Sequence, residues 1–333
     1  MARPADFLTR RGLIGAASVW PLLPATAMAA DAPPPAGARA GLPSGAIPPA
    51  GVVPSPGAPP AAPPPAAGQA VTRPAWTLAA YETAMAASGR PAHVSEAEFA
   101  AIQARKPHAI AHIAAYLKSR LGHADPAVIA AFQAVPREYF HYIYSSHEPV
   151  PSEAYETDPK PWAIGYGSAL SDYLGQAYMT QLLAPKPGMT SLEIGTGSGF
   201  QSALLSRIVD RAYTIEIIAP LGRAVSRIFA PLRYDNVHTR VGDGYYGWPG
   251  VAGGFDLIIV TCAARFAPPD LFAQMKPGGR MLIPIGQPFK RGQVLYVYTK
   301  DAVGKIHSRR DMGVFFIPMT GAIARSTPGA TRS

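Results

Sequence analysis

The sequence predicts an α/β protein, a doubly wound parallel sheet preceded by a helical cap. Three observations predict it. From about residue 188, short apolar strands alternate with helical stretches, the rhythm of right-handed βαβ crossovers. A glycine-rich turn, Gly195-Thr196-Gly197-Ser198-Gly199, follows the first of those strands. Ahead of them, residues 76–146 carry apolar side chains at helical spacing.

Composition sets the outer limits. The 333 residues include 37 prolines and one cysteine, and the formal net charge is +9. A lone cysteine excludes an intramolecular disulfide and any multi-cysteine zinc or iron–sulfur centre. No proline-free apolar run reaches the ~18 residues of a membrane span, which excludes a multi-span membrane protein.

Residues 1–29 read as an export signal. Arg10-Arg11 precede a moderately apolar stretch, and Ala27-Met28-Ala29 supplies a small-x-small cleavage site. The pattern resembles a twin-arginine signal peptide, an address for proteins exported already folded. A periplasmic location is expected, with a cytoplasmic one as the alternative. Residues 30–75 hold 14 of the prolines and cannot bury a core, so a Pro/Ala-rich linker is expected there. Removing the signal leaves a mature charge of about +7. Apart from Lys290-Arg291 and Arg309-Arg310 the basic residues are scattered. That predicts weak attraction to acidic surfaces and no specific nucleic-acid partner.

The helical N-terminal region is placed at 76–160. Ser95-x-x-Glu98 reads as a capping box opening a helix through about 105. A second helix carries Ile110, Ile113, Tyr116, Leu117 and Leu121 and stops at Gly122. Asp125-Pro126 starts a third, closed by Val135-Pro136-Arg137. His108 and His112 are four apart, but no Glu lies between them as in an HEXXH site. Helix surface explains them better, and no metal is expected.

The sheet follows. Strands are expected at Thr190–Ile194, Ala212–Glu216, Val237–Val241, Phe255–Thr261, Arg280–Ile285 and Val294–Thr299. Helices are expected at Gln201–Val209, Pro220–Leu232 and Pro269–Met275. Ligands bind at the carboxyl ends of such strands, so the residues there carry the function.

The first strand ends in Glu193-x-Gly195-x-Gly197-x-Gly199, with Phe200 where a dinucleotide loop needs its third glycine. That spacing lets the backbone approach a ligand closely but provides no pyrophosphate seat. It is the form typical of S-adenosylmethionine enzymes. Glu216 ends the second strand, where an acid can take both ribose hydroxyls. Gly242-Asp243-Gly244 ends the third, where a carboxylate can accept an adenine amino group. Taken alone, Asp243 reads equally well as a turn or cap residue.

These residues, together with Val135-Pro136-Arg137-Glu138, Ile164-Gly165-Tyr166-Gly167, FDLIIVT and the closing Met312-Gly313-Val314 to Pro318-Met319-Thr320, resemble the protein-L-isoaspartate O-methyltransferase family. The likeness runs from about 108 to 325. It implies a Rossmann-like methyltransferase domain over 161–325, S-adenosylmethionine as cofactor, and isoaspartyl residues of damaged proteins as substrate. The methyl ester would then collapse to a succinimide. It implies cofactor contacts from Glu193, Gly195, Gly197, Gly199, Glu216, Asp243, Gly244 and Thr320, and a catalytic Ser171. The family's substrate loop, G-x-G-Q-T-I-S-x-P, is altered here to Ser168, Ala169 and Tyr173, with Leu174 and Gly175 also departing. A methyltransferase of different substrate, or an exported binding domain that keeps the fold without turnover, are the alternatives. A monomer is expected. Cys262 beside the fourth strand end reads as a packing residue before a reactive thiol. Trp162 and Trp248 fit either a substrate groove or the core.

Overall fold

The computed structural model describes residues 75–287 and 292–326; the expected signal, the linker and Lys290-Arg291 lie outside the described residues. Those residues fall within one compact unit.

Three helices open the fold. α1 (Leu78–Ala87) is capped by Thr77, whose side chain accepts the Ala80 N–H. α2 (Glu96–Leu121) is capped by Ser95, which accepts the Glu98 N–H, and ends on Gly122 at φ 83°. The two helices expected on either side of residue 107 are therefore one helix of 26 residues, with Pro107 inside it. Proline there removes a backbone hydrogen bond, at a cost of about 3 kcal/mol. The helix continues because Phe99, Ile102, Ala109, Ile113 and Leu117 are buried along one face on both sides of it. α3 (Pro126–Ala134) starts at Asp125, which caps the Ala127 N–H.

Two short hairpins follow, β1 (Tyr142–Ile143) with β2 (Glu148–Pro149) and β3 (Trp162–Gly165) with β4 (Ser168–Leu170). Neither was foreseen. α4 (Tyr173–Leu183) then leads into the sheet, capped by Asp172, which accepts the Gly175 N–H.

The sheet has seven strands: β5 (Thr190–Ile194), β6 (Arg211–Glu216), β7 (Val237–Val241), β8 (Phe255–Val260), β9 (Met275–Ile285), β10 (Gln293–Lys300) and β11 (Ile306–Val314). Their order is β11-β10-β9-β8-β5-β6-β7. β7, β6, β5, β8 and β9 run parallel, and β10 and β11 add an antiparallel hairpin at one edge. The crossovers carry α5 (Phe200–Leu205), α6 (Ala219–Val225) and α7 (Pro269–Gln274). The helix expected over 220–232 breaks after α6 into a 3-10 turn, Ala230–Leu232, at whose centre Pro231 has no N–H to donate. β9 begins five residues earlier than expected, taking up Lys276–Gly279 in a bulge against β8. β11 was missed because its exposed face shows no alternation, only His307, Arg309 and Arg310 in an edge strand.

The helical region is joined to the sheet by buried side chains. The Tyr139 hydroxyl donates to Ile228 O at 2.9 Å. Glu138, fully buried, accepts from Trp76 Nε1, Gln103 Nε2 and the Tyr155 hydroxyl, each at 2.6 Å. Trp76 also packs edge-on against Tyr81 and Tyr139.

Candidate active site

Strand order reverses at β5, which has β6 on one side and β8 on the other. Such a reversal opens a crevice at the strands' carboxyl ends. Gly195, Gly197 and Gly199 leave β5 at φ 98°, 53° and 83°, a region costly for any side chain. A Cβ at Gly195 would sit 2.7 Å from Thr261 Oγ1, and one at Gly199 would sit 2.9 Å from Ile228 and Phe229 carbons. These two glycines let the loop lie against its neighbours. Gly197 faces the other way: its Cβ would project to 3.8 Å from Ser168 Oγ and 3.9 Å from Ala169 O. The β3–β4 hairpin thus stands directly over the glycine loop.

Glu216 is buried at the end of β6. One carboxylate oxygen accepts the Gly197 N–H at 2.9 Å, the other the Ile218 N–H at 3.0 Å. Burial raises its pKa, against the lowering effect of those backbone bonds. Each oxygen keeps a lone pair that can accept a sugar hydroxyl. Beside it Ile217 is 37% exposed, an apolar surface that sequence reasoning missed. Its Cδ1 reaches toward Gly321, so a flat ring can pack between β6 and the C-terminal turn.

Glu193 corrects the expected pattern. Its side chain points beneath the loop and is 1% exposed. It accepts from the Ser202 hydroxyl and, at 2.9 Å, from Thr214 Oγ1. Burial is the main cause of a carboxyl pKa raised to about 8. The residue fastens α5 to β6 as a neutral acid and does not line the crevice.

Asp243 takes the cap role. One oxygen accepts the Tyr245 N–H at 2.9 Å, the other the Ala322 N–H at 2.7 Å. It thereby ties the end of β7 to the C-terminal turn Gly321–Ala324. Its remaining lone pairs are where an adenine amino group could donate. Gly244 has a steric reason, since a Cβ there would collide with Ile194 Cγ2. Thr320 precedes the same turn, exposed, with no capping bond from its side chain.

Ser171 lies between β4 and α4, half-buried. Its carbonyl accepts from Arg137 Nη2 at 2.7 Å, while its hydroxyl has no hydrogen-bond partner among the described residues. The Arg137 Nη1 donates to Gln176 Oε1 at 2.6 Å, and the guanidinium stacks 4.7 Å from the Phe200 ring centre. Arg137 is 3% exposed; burial lowers its pKa to about 10, opposed chiefly by Asp172. It stays cationic at neutral pH. Sequence reasoning gave Arg137 no place in the site, although an arginine between Val135-Pro136 and Tyr139-Phe140 was the available signal.

The altered loop positions have structural occupations. The Tyr173 hydroxyl donates to Glu156 O at 2.6 Å, and its ring meets His112 edge-on. A side chain at Gly175 would approach within 2.9 Å of Asp172 Oδ2. Both changes are absorbed in seating α4. Trp162 and Trp248 are bonded to their surroundings, Trp162 Nε1 to Glu156 and the Trp248 N–H to Gln274. The Cys262 thiol lies by β5, and burial, with Glu216 and Glu193 nearby, pushes its pKa up, so it is not a thiolate nucleophile. No cluster of three metal-ligating side chains occurs among the described residues, and no helix among them is long and apolar enough to cross a membrane.

The sheet and its crevice are those of the α/β methyltransferases. Two solved structures share the fold. One is a protein-L-isoaspartate O-methyltransferase with TM-score 0.57 and 24% identity, covering 66% of this chain and 67% of that one. The other, from Plasmodium falciparum, was solved in complex with S-adenosyl-L-homocysteine as a candidate beta-aspartate methyltransferase. Its TM-score is 0.52 at 21% identity, over 63% of this chain and 97% of its own. Residues 109–324 match the family model of protein-L-isoaspartate(D-aspartate) O-methyltransferase, and the chain belongs to that family. Relatives named protein-L-isoaspartate O-methyltransferase include one from Nitrosospira multiformis, 45% identical over 60% of this chain and 82% of its own length. Another, from Syntrophobacter fumaroxidans, is 39% identical over 71% and 92%.

Proposed function

We propose that this chain transfers a methyl group from S-adenosylmethionine to the side-chain carboxylate of isoaspartyl residues in damaged proteins. The observation that carries the reading is the β3–β4 hairpin, which leads into Ser171 and stands within 4 Å of a Cβ position on Gly197. A substrate loop and a cofactor loop face each other across one gap. The residues fit the cofactor: Gly197 leaves space a side chain would fill, Glu216 offers paired acceptors, and Ile217 offers an apolar wall.

When bound, S-adenosylmethionine supplies an electrophilic methyl group. Acid–base chemistry is hardly needed, because a carboxylate with pKa near ~4 is already ionised at neutral pH. The chain's contribution is alignment and exclusion of water. The Ser171 hydroxyl, without another partner among the described residues, donates to one carboxylate oxygen and turns the second toward the cradle. Arg137 holds the Ser171 carbonyl and adds a buried positive charge that favours an anionic substrate. The hairpin covers the gap. Glu216 would hold the ribose, and Asp243, with Thr320 ahead of the same C-terminal turn, would hold the adenine end.

The test is methyl transfer from labelled S-adenosylmethionine to an isoaspartyl peptide, beside the same peptide with ordinary aspartate. Transfer only to the first is expected; cofactor binding without transfer to either would refute this substrate. Ser171→Ala is expected to lower turnover with cofactor affinity unchanged, and an equal loss of cofactor binding would remove Ser171 from the substrate side. We further propose that residues 1–29 direct twin-arginine export to the periplasm, supported by Arg10-Arg11 and the Ala27-Met28-Ala29 end. Replacing both arginines by lysine should retain the chain in the cytoplasm on cell fractionation.

A further inference from the structure

A second cleft lies beside the hairpin. It has a volume of about 160 Å³ and is lined by Arg90, Arg227, His147, Tyr142, Tyr144 and Tyr166, with small residues of α6 and the α1–α2 connection completing the wall. Its lining holds two arginines, a histidine and three tyrosines, and no aspartate or glutamate.

Arg90 is a built feature of that wall. It is 3% exposed. Its Nε donates to Ser88 Oγ at 3.0 Å and its Nη1 to Tyr139 O at 3.0 Å. The guanidinium lies 4.3 Å from the Tyr139 ring centre and 5.4 Å from that of Tyr142. Its Nη2 is buried with no partner among the described residues. A buried donor on a cation is costly to leave unpaired, and an anion is what would satisfy it. Arg227, from the segment after α6, is exposed and forms no ion pair among the described residues. Burial raises the Tyr142 and Tyr144 pKa values, so both phenols keep their protons and can donate.

Position gives the cleft its meaning. Tyr166, 44% exposed, is the turn residue of the hairpin that runs into Ser171, and it is held at φ 53°. The opposite wall is α6, which follows Glu216. The cleft therefore lies at the tip of the hairpin whose second strand leads into Ser171. Arg90, with Ser88 and Gly89, lies ahead of residues 109–324, the segment matched by the family model.

We propose that this cleft binds the side-chain carboxylate of an acidic residue flanking the isoaspartate in the substrate polypeptide. The pairing is a charge-assisted one, with Arg90 Nη2 as the fixed donor, Arg227 as the mobile one, and the phenols as neutral donors around them. The proposal rests on a polypeptide substrate at Ser171 and gives that substrate an acidic neighbourhood.

The experiment measures binding, so it does not depend on turnover. Fluorescently labelled, C-terminally amidated isoaspartyl peptides carry a single Glu at successive flanking positions, each paired with its Gln counterpart, and anisotropy gives their Kd for the full chain. For at least one position the Glu peptide should bind about tenfold tighter, the worth of one charged hydrogen bond. Arg227→Gln, at an exposed side chain, should lower that ratio about threefold and leave the part carried by Arg90. Equal affinity for every Glu/Gln pair overturns the proposal. So does a ratio unchanged by Arg227→Gln, which would take Arg227 out of the cleft. Charge-dependent binding with no methyl transfer would instead refute the proposed reaction and leave the cleft assignment standing.

Discussion

Glu193→Gln should make this protein more stable at alkaline pH, with little effect near pH 5. In the fold the Glu193 carboxyl is pushed up to about 8 from an ordinary value of 4.5. The folded state thus holds a proton that the unfolded chain releases. Below the unfolded value both states are protonated and no penalty exists. Between the two values stability falls by about 1.36 kcal/mol per pH unit, and above the folded value the loss levels off. Integrated from pH 5 to pH 8, this one group costs on the order of 3 kcal/mol. Glutamine cannot ionise, and its carbonyl can accept the bonds from Ser202 and Thr214 at the oxygen that takes both now. The observable is the difference in unfolding free energy between variant and wild type, from urea titrations at pH 5 and pH 8. Other ionisable groups largely cancel in that difference. It should move in the variant's favour by on the order of 3 kcal/mol, or roughly 10 °C in Tm for a domain of this size. A pH-independent difference would refute the buried, neutral carboxyl.

Three further outcomes follow from the same geometry. Glu216→Gln keeps the side chain's size but removes the charge facing the cradle, and should weaken S-adenosylmethionine by about tenfold in calorimetry, the worth of one charged hydrogen bond. Gly244→Ala forces a methyl group onto Ile194 Cγ2 and should lower stability by about 1–3 kcal/mol, read from denaturant midpoints. Arg137→Lys cannot reach Ser171 O and Gln176 together, and a displaced Ser171 should cost about tenfold or more in kcat/KM for the peptide, with cofactor Kd unchanged.

Thr190–Ile194, buried throughout, was legible from the glycine loop it leads into, and the half-exposed edge strand Val237–Val241 from the alternation of strands and helices; both have the expected bounds. The glycine loop was legible because three alternate glycines at a strand end have few other uses. What escaped had no local signature. Whether Glu193 points up into the crevice or down into the core depends on which face of β5 it occupies, and the E-x-G-x-G-x-G spacing alone does not say. Asp243 satisfies Ala322, 79 residues away, a partner invisible to spacing. The continuity of α2 past Pro107 depends on the tertiary burial of one face. The unpartnered donor of Arg90 comes from the meeting of three segments that no motif connects.

The bonds that Trp76 and Gln103 make to Glu138 set where this protein can be cut. The family span begins at residue 109, and a boundary drawn there looks natural on alignment. It would remove two of the three side-chain donors to the buried Glu138 carboxyl, together with α1, whose Tyr81 packs against Trp76. The smallest unit able to fold therefore starts before Trp76, more than thirty residues ahead of the shared span. Whatever lies upstream is attached not to a loose end but to a residue already locked into the VPRE segment, so trimming the chain from its N-terminus should lose cooperativity abruptly at that tryptophan.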